Sequence, residues 1–205
     1  VHSGMSGGVI PSSFRIQRML LDRVEDSKSG EILISEMHVE ISDKVRKEAE
    51  ELGSLLGDEL WSQLPVVESL RPQNEGAAEI LLDMNWRPAM SVIGADGMPP
   101  TQTAGNVLRT NTDLKLSFRL PPGVAAEEID VILKEKFEQN PPYGAKVEYI
   151  ADAAADGFHA PAMDGKLAEI LLEASEHVTG LPPMATWVGG TIPFMAMMQE
   201  KYPNA

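Results

Sequence analysis

The 205-residue sequence contains no cysteine. That excludes disulfide frameworks, thiol nucleophiles and Cys-ligated zinc or iron–sulfur sites, and it fits a reducing compartment. Positive charge is also scarce: 17 Lys and Arg face 31 Asp and Glu, a net charge of −14. Binding a polyphosphate backbone needs a concentrated Lys/Arg field, so nucleic acid is not an expected partner. No apolar run approaches the roughly 20 residues that cross a bilayer; Ala168–Leu172 is broken by Glu169. No membrane partner is expected either. The opening, Val1-His2-Ser3-Gly4, shows no charged segment leading into an apolar one. Together with the missing cysteine, this makes the cytoplasm the expected location.

What is present suffices for a core. Apolar residues make up 43% of the chain, near the globular average, and the length suits one large domain or one and a part. After Pro11, the residues Phe14, Met19, Leu20, Leu21 and Val24 recur at helical spacing, so a helix is expected over Ile10–Val24. Ile32, Ile34 and Met37 form a short strand candidate. Val45, Ala49, Leu52, Leu55, Leu56 and Leu60 mark helix within 43–70, interrupted at Pro65. The period then changes to two, first through 89–94 and again over Leu114–Leu120, where Lys115, Ser117 and Arg119 occupy the polar face. A helix over Ala125–Gln139 carries Glu127 and Glu128 in its first turn, and Val147, Tyr149 and Ala151 suggest one more strand. Helices sharing a set of strands imply an α+β sandwich. Beyond residue 158, Leu167, Ile170, Leu171, Ala174 and Val178 form an apolar helical stripe ending at Gly180. A strand near Thr186–Val188 and a helix through Phe194–Met198 follow.

Few residues are suited to chemistry. Of four histidines, none is spaced i, i+4 as a helical zinc pair requires. His38 reads as a solvated strand residue and His177 as a helix C-terminal cation; His159 sits at the suspected domain junction. His2 differs, because Ser3, Gly4, Gly7 and Gly8 surround it. Such glycines let backbone N–H groups approach a ligand, although these residues by themselves read first as a plain glycine-rich turn entering a helix. Arg119, mid-strand, suits bidentate capture of a carboxylate or a surface ion pair. The adjacent acids Glu50-Glu51 and Glu127-Glu128 diverge by about 100° on their helices and read as solvated faces.

In combination these stretches resemble a family. His2-Ser3-Gly4-Met5-Ser6-Gly7-Gly8 is similar to the His-Ser-Gly-x-x-Gly-Gly signature of the di-zinc metallopeptidases that include carnosinases, aminoacylases and glutamate carboxypeptidases. Ser117-Phe118-Arg119-Leu120-Pro121-Pro122 resembles that family's Arg-Leu-x-Pro strand end. Gly105-Asn106-Val107 falls where the family has a substrate-contacting Asn or Thr, and Val188-Gly189-Gly190-Thr191-Ile192-Pro193 is similar to its Gly-Gly-Ser/Thr-Ile-Pro loop. The four motifs stand in the family's order across nearly the whole chain.

The resemblance implies a catalytic α/β domain holding two zinc ions, with an inserted ferredoxin-like lid of four antiparallel strands and two helices that forms a homodimer. It implies that His2 reaches the partner subunit's active site and stabilises the oxyanion, that Asn106 and Arg119 contact substrate, and that Gly190 and Thr191 line the pocket. The substrate would be a dipeptide or an N-acyl amino acid. The family's His-x-Asp zinc motif is missing here, and so are its first lid strand and its C-terminal His. The expectation is therefore a lid over 1–158 with a helical insertion near 43–70, and an incomplete part of the catalytic domain over 159–205. Both ends read as cut from a longer chain, and this piece alone is expected to be inactive and to hold no zinc. The rival reading is a non-catalytic dimerisation or small-ligand-binding module on the same α+β sandwich.

Overall fold

The computed structural model describes residues 1–152, 154–158, 163, 165–187 and 193–202. In chain order the elements are α1 (Ser3–Ser6), α2 (Ser13–Leu21), α3 (Asp43–Leu56), α4 (Glu59–Ser62), α5 (Ala77–Asn85), β1 (Ala89–Asp96), β2 (Asp113–Arg119), α6 (Ala126–Glu138), α7 (Gly165–Thr179) and α8 (Pro193–Lys201). They form two compact units. The first comprises 1–38, 88–120 and 124–156, and the second 39–87, 121–123 and 157–205.

In the first unit β1 and β2 pair antiparallel, from Ala89 opposite Arg119 to Asp96 opposite Asp113. The register slips between Val92 and Gly94, a bulge that interrupts the alternation of β1. Gly97 turns the chain at φ +84°, where a Cβ would lie 2.6 Å from the Asn111 carbonyl oxygen. Helix α2 starts later than its apolar spacing suggests, because the Ser12 hydroxyl accepts the Arg15 N–H at 3.1 Å and so caps it. Pro11 thus precedes the cap. Leu20, Val24, Ile32, Ile34, Met37, Ile129, Leu133 and Phe137 are buried.

The expected four-stranded sheet is a two-stranded one among the described residues. Ile32 makes a single bridge to Glu25, and a 3-10 turn over Ser35–Met37 stops it from lengthening. The stretch Val147–Ala151 joins no ladder among the described residues. The Tyr149 N–H donates to the Glu138 carboxylate at 2.8 Å, and the Tyr149 ring stacks on Phe137 with centroids 6.1 Å apart. A side chain has taken the donor that a neighbouring strand would have used.

The second unit is helical at its centre. Val45, Ala49 and Leu52 of α3 cluster with Leu60, Leu81, Leu82 and Trp86, and Trp187 meets Trp86 edge to face at 6.1 Å. Segment 43–70, expected as an insertion into the first domain, therefore groups with the C-terminal residues. Its apolar stripe faces α5. Thr186 and Trp187 lie in no strand, and Val188 falls outside the described residues.

Candidate functional site

His2 is exposed at the N-cap of α1, the single helical turn made by the glycine-rich opening. The Gly4 N–H donates to His2 Nδ1 at 3.0 Å. In the neutral ring this assigns the proton to Nε2, which has no hydrogen-bond partner among the described residues. The imidazole is thus a capped ring with a free outward donor. Gly7 closes the turn by donating to the Ser3 carbonyl at 2.7 Å, an approach its own Cβ would block, since it would lie 2.4 Å from that oxygen. The glycines shape the loop around His2 and do not lead straight into α2, which Ser12 caps four residues later. The same stretch also spells Gly-x-Ser-x-Gly. Yet Ser6 ends a helical turn, its N–H bonded to the His2 carbonyl at 3.2 Å, and the strand-to-helix elbow that would expose a nucleophile is not formed.

Asn106 comes to the same place. Its carbonyl accepts the Ser3 N–H at 2.8 Å, and His2 forms an antiparallel bridge with Val107. Residues about a hundred positions apart are so held side by side, with the Asn106 side chain exposed.

Arg119 is the last residue of β2. It is exposed and makes no ion pair among the described residues. Lys115, on the same face, is bound to Asp152 at 2.8 Å, and Arg87 is held by Asp83 at 2.6 Å and Glu79 at 2.7 Å. Arg119 therefore keeps its fork available to an external carboxylate, whereas these cations do not. Gly190, Thr191 and His159 lie outside the described residues. His38 is tied to its own loop through Nε2 and the Ile32 carbonyl at 2.7 Å.

No three His, Asp or Glu side chains among the described residues converge as metal ligands. The donors present do not fit the di-zinc centre that the resemblance implies, and no chemical step is assigned to a metal here.

The cysteinylglycine-S-conjugate dipeptidase of Corynebacterium striatum is 30% identical over 130 residues, 60% of this chain and 27% of that protein. Human carnosine dipeptidase 1 superposes with a TM-score of 0.70 at 21% identity, over 98% of this chain and 43% of its own. The di-peptidase Dug1p of Saccharomyces cerevisiae gives 0.68 at 23% identity, over 98% and 42%. The Sulfolobus solfataricus M20 family metallo-carboxypeptidase Sso-CP2 gives 0.61 at 18%, over 99% and 45%. The chain has the fold of part of an M20 metallopeptidase. It spans less than half the length of each of these proteins. No protein-family model matches it. No described helix is long and apolar enough to cross a membrane.

Sequence reasoning singled out His2 but missed the Gly4 amide that orients its ring. The ordinary N-cap residues are Ser, Thr, Asp and Asn, so a histidine there gives no capping signal.

Proposed function

We propose that this chain is the lid and an adjoining part of the catalytic domain of a cytoplasmic zinc-dependent exopeptidase or amidohydrolase that cleaves dipeptides or N-acyl amino acids. The metal ligands lie elsewhere in the parent protein. The observation that carries this reading is the His2 ring, exposed and with Nδ1 already satisfied, so that Nε2–H is free to point at an acceptor.

Each residue has a role in this reading. Two lids pair in a homodimer, and His2 donates from Nε2 to the oxygen on which negative charge develops in the partner's site. A preorganised donor aimed at that charge lowers the barrier without reorganising during the reaction. Asn106, fixed beside His2 by its backbone, contacts the substrate, and Arg119 grips the terminal carboxylate with two parallel N–H groups. Gly190 and Thr191 line the pocket from the catalytic side. The apolar stripe of α7 supports the assignment to a larger protein: Ile170, Leu171, Leu172 and Val178 are all exposed and call for a covering layer.

The test is His2→Ala in the full-length protein. Turnover of a dipeptide should fall about 100- to 1,000-fold, with the zinc content unchanged. Undiminished turnover would remove the role given to His2. Absence of any zinc-ligand motif in the full-length sequence would favour the non-catalytic dimerisation module instead.

A further inference from the structure

We propose that Gly4 is a positioning residue for His2: its backbone N–H and its lack of a side chain together hold the imidazole in the Nε2–H tautomer and in one orientation. This rests on the reading of His2 as the oxyanion donor.

Three observations carry the inference. The Gly4 N–H, at 3.0 Å from Nδ1, has no other partner among the described residues, while the N–H groups of Met5, Ser6 and Gly7 go to the His2 and Ser3 carbonyls. A ring protonated on Nδ1 would oppose N–H to N–H, so this bond selects the tautomer with its proton outward. Second, a Cβ on residue 4 would lie 3.1 Å from Nδ1 and 3.3 Å from Cε1, tight enough that a side chain there shifts the ring by a few tenths of an ångström. Third, the exposed ring has no other hydrogen bond among the described residues to fix it, and a solvated side chain otherwise exchanges rotamers freely.

Capping and donation are separable. Asparagine is a good N-cap and can accept the same Gly4 N–H, yet its shorter side chain places no donor where Nε2–H stands. His2→Asn therefore keeps the cap and loses the outward donor.

The experiment is a long-range proton–nitrogen correlation spectrum of the histidine rings in the ¹⁵N-labelled chain, in alkaline buffer where imidazoles are neutral. His2→Asn assigns the His2 signals by deleting them. In the unsubstituted chain Nε2 should carry the proton, and Nδ1 should be displaced from the position of a free-peptide imidazole. Gly4→Pro removes the amide at a first-turn position that tolerates proline, and should return Nδ1 to the free-peptide position. Gly4→Ala keeps the amide but crowds the ring, and should move the resonance part of the way even if Gly4→Pro unwinds the turn. Met5→Ala, at a side chain 84% exposed, should leave it in place. A proton on Nδ1, a resonance indifferent to both Gly4 variants, or an equal shift from Met5→Ala would overturn the proposal.

In the full-length protein both Gly4 variants should lower kcat, by up to about 100-fold for a misplacement near 1 Å, with KM and metal content unchanged. His2→Asn should match His2→Ala. If His2→Ala leaves turnover intact, the functional reading fails while the spectra still decide what Gly4 does to the ring. If His2→Ala abolishes turnover but the Gly4 variants alter neither spectrum nor rate, the positioning role alone is lost.

Discussion

Single side chains in the first unit are committed to the backbone in ways that set what remains free. Arg23 donates to the carbonyls of Lys136, Gln139 and Asn140 at 2.8, 2.7 and 2.7 Å, satisfying the C-terminal end of α6 that no glycine cap closes. Tyr149 donates its hydroxyl to Asp130 at 2.5 Å. Burial, and then the adjacent Asp130 carboxylate, holds that hydroxyl well above the ordinary phenol range. A raised pKa in the folded state means the native chain keeps a proton that the unfolded chain releases above about pH 10. Stability from this group is therefore complete below pH 10 and lost as pH climbs toward the folded value. Denaturant titrations from pH 8 to 11 should show an alkaline loss in the unsubstituted chain that is smaller in Tyr149→Phe, which itself should cost about 1 kcal/mol at neutral pH. Parallel pH curves would assign the alkaline loss to other groups.

At the scale of elements, two helices meet closely and one is capped from afar. Gly53 lets α3 and α5 approach until a Cβ on residue 53 would sit 2.7 Å from the Ala78 backbone nitrogen. Alanine is the better helix former by about 1 kcal/mol, but the obstacle is main chain and cannot rotate away. Gly53→Ala should accordingly destabilise the chain by about 1–3 kcal/mol, read from the denaturation midpoint; a stabilised variant would disprove so close a crossing. Helix α6 has no capping side chain at Ala125, yet the Ala126 N–H finds the Asp156 carboxylate at 2.8 Å. Thirty residues separate cap and helix, so no local pattern announces the pair.

For the molecule as a whole, the exposed stripe of α7 and the length relative to the M20 structures bear on the same question. Ile170 and Leu171, 52% and 41% exposed, should drive self-association of the chain at micromolar concentration. Sedimentation should show this, and a double Ile170→Lys, Leu171→Lys substitution should reduce it while helix content by circular dichroism stays the same. A monodisperse, unsubstituted monomer would mean that the stripe is covered within the chain.

Legibility in the sequence followed how local each signal was. The clean period of two over Leu114–Leu120 foretold β2, and the helical spacing of Val45, Ala49 and Leu52 foretold α3. These patterns lie within one element and report which face meets the core. The strand expected at Val147–Ala151 failed because alternation reports a half-buried extended chain and not whether a neighbour accepts its hydrogen bonds; Glu138 had taken the Tyr149 N–H. Likewise the motif around His2 marked the residue, while its tautomer depended on where the Gly4 amide points.

By itself, then, the sequence determined the period of elements such as α3 and β2, the acidic composition, the exclusion of thiol chemistry and the resemblance to the metallopeptidase family that the comparisons bear out. Only the tertiary structure decided that 43–70 groups with the C-terminal unit, that Asn106 lies beside His2, and that Arg119 stays unpaired among the described residues while Lys115 and Arg87 do not. The physical reason is range. Side-chain periodicity is set by dihedral angles within a few residues, whereas the partner of a given polar group is chosen by packing between segments tens to a hundred residues apart.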